Sequence, residues 1–182
     1  MKALLILAAL AFGASCSTPA SPWAETQHDN THGWQDPLLD RFVGTWVLEG
    51  VMAGGDVVHD LVAEWVVGHQ YLRFTELSRE REPDGMRAYE SIVLIGWDAA
   101  NARYACLWLD STGGSGLVNG IIGYAEPGGD RLAFVFDYLD GERSFHTTFT
   151  YDRASDAWHW NMDSERSGEF NPFARATMTR RE

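Results

Sequence analysis

Lysine is almost missing from this chain. Of 14 basic residues only Lys2 is a lysine, and the 26 acidic residues bring the formal net charge to −12. So acidic a surface repels a phosphate backbone, which excludes a binder relying on general basic charge, and no nucleic-acid partner is expected. Cysteine is nearly as scarce: Cys16 and Cys106 cannot make a disulfide framework, so stability has to come from packing. Cys106, within Tyr104-Ala105-Cys106-Leu107-Trp108, is expected as a buried strand residue. The sequence has no Gly-x-Ser-x-Gly, His-Glu-x-x-His or Cys-x-x-Cys, and no Ser or Cys lies in a context that suggests an activated nucleophile. Neither catalytic residues nor a metal nor a cofactor is therefore assigned from motifs.

What the chain does contain is apolar and aromatic. With 182 residues, 45% hydrophobic, 22% charged and 13% aromatic, it has material for one domain with a real core and is too aromatic for disorder. Met1-Lys2, the apolar run Ala3–Phe12 and the small residues up to Cys16 have the form of a secretory signal, too short to span a bilayer. The small residues ending at a cysteine resemble the bacterial lipobox, which implies that Cys16 becomes the lipidated first residue of an exported envelope protein facing the periplasm. Residues 1–15 are then leader. Residues 16–35 have no apolar period and suit a flexible tether. His28, Asp29 and His32 lie there without fixed geometry or supporting partners, so no metal is expected. The folded body is expected over 36–182.

After a helical turn at Asp36-Pro37-Leu38-Leu39-Asp40, where Asp caps and Pro takes the first turn, the pattern alternates with period two. Strands are expected near 42–52, 57–67, 70–79, 88–97, 103–110, 116–124, 131–139, 142–151, 156–164 and 173–181. That is an all-β, antiparallel, up-and-down succession of about ten strands. Asp140-Gly141 is a favoured two-residue turn, which sets Phe136 against Phe145, Phe134 near Thr147 and Leu132 against Phe149. Gly68-His69 likewise sets Trp65 by Leu72, Ala63 by Phe74 and, on the opposite face, Glu64 by Arg73. In the last strand Ala174, Ala176 and Met178 share a face with Arg180, whose guanidinium then needs a partner or an aromatic surface.

Phe42-Val43-Gly44-Thr45-Trp46, following the helical turn, resembles the Gly-x-Trp opening of the calycin barrels, which include lipocalins, fatty-acid-binding proteins and nitrobindins. The resemblance implies a closed barrel in which Trp46 lies at the closed end under an Arg of the last strand; the matching position is Arg180. Across roughly residues 38–181 the chain also resembles a bacterial family of calycin-like domains without assigned activity. The matching pieces are Gly44-Thr45-Trp46, Val67-Gly68-His69-Gln70-Tyr71-Leu72, Ile95-Gly96-Trp97-Asp98, Tyr104 with Trp108-Leu109-Asp110, and Thr179-Arg180.

Ten strands closed on themselves enclose more volume than strand side chains must fill, so the expected function is binding of a small apolar or amphipathic molecule. Parity places Trp65, Phe74, Trp108, Phe134, Phe136, Tyr138, Phe149 and Trp160 as lining candidates. The same aromatics can also fill the barrel, leaving an envelope interaction module. Glu64 and Arg73 are expected as a surface ion pair; with the hairpin's parity inverted they would anchor a polar ligand head. Nitrobindin-like relatives hold haem through an inward His, but His146 and His159 both alternate away from the aromatic face. A further alternative is a cofactor-free lyase or isomerase, for which Tyr89, Glu90 and Tyr138 with an interior Arg supply the residue types. Ser111-Thr112-Gly113-Gly114-Ser115-Gly116 has no Lys or helix after it and reads as a hairpin connection or lid, not a nucleotide loop. Membrane contact is expected through the Cys16 anchor alone, because the acidic body repels anionic lipid. Oligomeric state is not legible.

Overall fold

Alternating strands joined by tight turns can bury one face only by curling that face inward, and this chain does so completely. The computed structural model describes residues 36–112 and 121–181. The leader, Cys16, the tether and the glycine-rich segment beyond Thr112 lie outside the described residues. After a 3-10 turn at Leu39–Phe42 come β1 (Gly44–Met52), β2 (Gly55–Val66), β3 (Tyr71–Ser78), β4 (Glu90–Asp98) and β5 (Arg103–Asp110). β6 (Ile122–Ala125), β7 (Arg131–Asp137), β8 (Arg143–Asp152), β9 (Ala157–Arg166) and β10 (Glu169–Arg180) complete the sheet. Each strand pairs antiparallel with its chain neighbours, and β10 returns to β1, so the ten strands form a closed barrel.

Both turn-derived registers are present. Phe136 faces Phe145, Phe134 faces Thr147 and Leu132 faces Phe149 across β7 and β8. Trp65 faces Leu72 and Ala63 faces Phe74 across β2 and β3, with Glu64 opposite Arg73. β6 is found from Ile122, the earlier part of its expected span, 116–124, lying outside the described residues, and β10 begins at Glu169 and not near 173. Pro172 is carried inside it because the pairing register shifts between Pro172 and Ala174, and such a bulge needs no donor from proline.

One end of the barrel is plugged. Asp36 Oδ1 accepts the backbone N–H groups of Leu38 and Leu39 at 2.9 and 3.0 Å, the expected capping role. The turn is then pinned to the barrel: the Tyr104 hydroxyl donates to Asp36 at 2.6 Å, Trp65 Nε1 to Asp40 at 2.8 Å and Trp46 Nε1 to the Phe42 carbonyl at 2.6 Å. Phe42 is fully buried, stacked on Trp158 at 3.5 Å between ring centroids and edge-on to Phe74 and Phe149. Arg180 seals the same end. Its guanidinium carbon stands 4.3 Å from the centre of the Trp46 ring, and its nitrogens donate to Asp156 and to the carbonyls of Val43 and Arg41.

Gly44 explains why the first strand opens on glycine. Its φ is +136°, and a Cβ there would stand 2.7 Å from Arg180 Nη1. Gly44→Ala should therefore cost about 1–3 kcal/mol in backbone strain alone, and Phe42→Ala about 3–5 kcal/mol through the cavity it leaves. Urea unfolding followed by tryptophan fluorescence measures both; a loss below about 1 kcal/mol for Phe42→Ala would mean the plug contributes little.

Candidate functional site

The inward positions divide the barrel into two halves. Near the plug, Trp46, Leu48, Leu61, Leu72, Ile95 and Trp158 are at most 1% exposed, which is the density of an ordinary core. Toward the other end, the mouth, inward residues keep accessible surface: Val57, Trp108 and Phe145 are only partly buried although they face the barrel interior. Inside a closed sheet such surface is reached only through the barrel's own end. The sealed core thus gives way, toward the mouth, to inward residues that keep some accessible surface.

Of the sequence-derived lining residues, Trp108, Phe136 and Trp160 meet in the accessible half. The Trp108 ring lies 5.5 Å from Trp160 and 6.2 Å from Phe136. Phe136 lies over Gly123, where a Cβ would approach its ring to 2.7 Å. Phe74 and Phe149 pack on Phe42 in the filled half, and Phe134 is buried beside Phe136. Trp65 belongs to the plugged rim, bonded to Asp40 and stacked on His69. Tyr138 follows β7 at the mouth, under the Arg143 guanidinium. Glu64 and Arg73 form their ion pair on the outer face, each more than 40% exposed. The placement of those two as lining residues is thereby corrected: Ala63 and Trp65 take the inward parity, which turns Glu64 outward. Glu90 is also exposed, so it drops out of the Tyr89, Glu90 and Tyr138 set. His146 and His159 lie on the outer face, as their parity predicts.

Sequence reasoning missed the residues that give the lumen its polarity. His59 on β2, Glu76 on β3 and Ser91 on β4 face inward and are 4%, 1% and 4% exposed. His59 Nδ1 is 2.6 Å from Glu76 Oε1, and the Ser91 hydroxyl donates to Glu76 Oε2 at 3.1 Å. Tyr89, held at the head of β4 where its carbonyl accepts from the Ser78 N–H, stacks on the His59 ring at 5.5 Å. Trp108 Nε1 donates to the Tyr89 hydroxyl at 3.3 Å. Polar network and aromatic wall are thus continuous through Trp108. The signal was available: counting inward from Ala63 and Trp65 along β2 reaches Leu61 and then His59, and counting from Leu72 and Phe74 along β3 reaches Glu76.

The arrangement defines its own chemistry. A carboxylate only accepts, so an imidazole hydrogen sits on Nδ1, and the other nitrogen, Nε2, which has no partner among the described residues, is the acceptor whenever the ring carries a single hydrogen. Ser91 donates to Glu76 and not to His59, so the histidine does not activate it as a nucleophile. Burial, followed by the charges of Glu76 and Asp110, pushes the Tyr89 phenol far above its ordinary range and keeps it neutral. Burial alone does the same to the Cys106 thiol.

A second cluster, Ser144, His146 and Glu165, lies on the outer face. Glu165 Oε2 accepts from Ser144 at 2.8 Å and lies 2.7 Å from His146 Nε2, while Nε2 is also 3.0 Å from the serine oxygen. Because one histidine nitrogen faces both partners, the imidazole does not bridge acid and hydroxyl as a nucleophilic triad requires. No group of three or more metal-binding side chains occurs among the described residues. No family model and no curated protein matches the sequence.

Ionisation sets the range of conditions in which the barrel persists. Asp60, Asp98, Asp130, Asp156 and Glu165 are held below their ordinary values of 3.8 and 4.5, chiefly by hydrogen bonds from Arg79, Asn101, Arg153, Arg180 and Ser144 respectively. Groups depressed in the fold stabilise it above those ordinary values, and the contribution is lost as pH falls through the lowered ones. Tyr89 and Tyr104, raised from 10.0, act oppositely and contribute below that pH, with loss as pH rises beyond it. Tm measured across pH should therefore be flat from about 5 to 9 and fall on both sides. A maximum below pH 4 would contradict this.

Proposed function

We propose that the protein is an exported, lipid-anchored small-molecule binder of calycin type. Its ligand enters at the mouth, lays a flat apolar body against Trp108, Phe136 and Trp160, and turns a polar end toward His59 and Glu76. One observation carries this reading: a histidine–carboxylate–hydroxyl network faces inward on an aromatic wall, in the half of the barrel that keeps accessible surface. Ligand sites have this composition, mostly apolar with a few placed polar groups. The leader and Cys16 support export and anchoring, and the acidic body leaves the acyl chain as the route to the membrane. Cys16→Ser should shift the protein from the membrane fraction to the soluble fraction of its host.

Binding is tested by titration with Nile red, a neutral dye with an apolar ring system. Saturable binding to one site is expected, weakened about tenfold or more in Trp108→Ala protein with an unchanged far-ultraviolet spectrum. Absence of saturable binding, or equal affinity in the variant, would remove the lumen as the site. The His59–Glu76 pair favours a second reading, a cofactor-free acid–base catalyst. An imidazole oriented by a carboxylate next to a neutral phenol supplies a proton acceptor and a donor. Turnover of a molecule that co-purifies with the protein from its host separates catalyst from carrier.

A further inference from the structure

The charge and hydrogen-bonding sense of the lumen restrict what its ligand's polar end is. Among the described residues there is no lysine, and no arginine is buried. Arg180 closes the plugged end, and Arg87, at the mouth, donates to the Ser78 carbonyl. A carboxylate or phosphate head would thus enter a buried site already holding Glu76, with no buried lysine or arginine to offset the repulsion. A cationic head finds both Glu76 oxygens already accepting, from His59 and Ser91, and would have to displace one of them to pair with the carboxylate.

What remains unfulfilled is neutral hydrogen bonding. His59 Nε2 presents a lone pair, for the reason given above. Trp160 is 2% exposed and its Nε1 has no partner, and the hydroxyl of Thr147, 1% exposed, has none either. Trp160 reaches the polar network through Trp108, whose ring it neighbours and whose own Nε1 serves Tyr89. A ligand suited to these groups gives a hydrogen to Nε2 and offers an oxygen to an indole N–H. Its body has to be flat to lie among tilted and edge-on rings.

We infer that the lumen selects a flat, neutral molecule bearing a weakly acidic hydroxyl, a phenol or enol, whose O–H donates to His59 Nε2 while Glu76 fixes the imidazole. Anionic lipids and fatty acids are then not its ligands. This rests on the lumen-binding reading and sharpens it to a substrate class.

The test uses four probes with one ring system, so that only the head differs: 2-naphthol, 2-methoxynaphthalene, 2-naphthoate and 2-naphthylmethylammonium. Titration against tryptophan fluorescence at neutral pH should rank naphthol tightest, at least about fivefold ahead of the methoxy compound, which accepts but does not donate. Naphthoate should bind weakest. In His59→Asn, whose amide still reaches Glu76 but lacks a group at Nε2, naphthol should lose its advantage while methoxynaphthalene binding stays the same. If His59→Asn does not fold, the ranking in the unaltered protein decides alone. Equal binding of naphthol and methoxynaphthalene, or tighter binding of either charged probe, overturns the inference and leaves lumen binding standing. Failure of all four to bind overturns both.

Discussion

Everything in this molecule depends on the sheet meeting itself at β1 and β10. Trp46 pairs with Arg180 at that seam, and the strands then run in register through Met52 and Ala174. Closure removes the exposed strand edges and converts an amphipathic ribbon into a wall with an inside. Arg180 holds more than the seam. By bonding the carbonyls of Arg41 and Val43 it ties the last strand to the 3-10 turn, and by lying on Trp46 it covers the end of the core. Gly44 and Arg180 therefore form one structural unit, since the space the guanidinium crosses is the space a side chain at 44 would occupy.

The plug sets the contrast between the two halves. Phe42 brings a large ring into the barrel from outside the strands, and Trp158, Phe74 and Phe149 close around it. No corresponding element among the described residues enters from the mouth. Beyond the level that Phe42 fills, the inward side chains are no longer wholly apolar. Filling and lining by aromatics are alternatives on the sequence, and at the level of Phe42 filling holds.

Most of the fold was legible in the sequence, and the reason is physical. Asp140-Gly141 and Gly68-His69 fix register locally, so Phe136 with Phe145 and Ala63 with Phe74 follow by counting. The inward Arg180 followed from parity in the last strand, and the resemblance to calycin barrels supplied its partner, Trp46. The site was less legible. Hydrophobic periodicity singles out apolar residues on the inward face and passes over polar ones, so it leaves His59, Glu76 and Ser91 unmarked. Glu64 and Arg73 drew notice because opposite charges face each other across a hairpin, but that conspicuous pairing is characteristic of a wet face. The diagonal contact of His59 with Glu76 lies within the β2–β3 hairpin but depends on register and side-chain length together, and Ser91 joins it from the next strand, β4.

A buried ion-capable pair is poor evidence for stability, because taking both groups out of water costs about what their attraction returns, and apolar replacements of similar volume are often neutral or stabilising. The filled half of this barrel shows that the chain can make such replacements. Leu48 occupies the inward position directly opposite His59 on β1, and Leu61 the one opposite Glu76 on β2. His59, Glu76 and Ser91 are therefore polar side chains at positions where apolar ones would close the sheet equally well. What distinguishes these positions is their neighbourhood: Tyr89 and Trp108 link them to accessible aromatic surface, while the wholly apolar level beneath is sealed by Phe42. The proposed binding of a molecule at this level would account for the cost of burying the network.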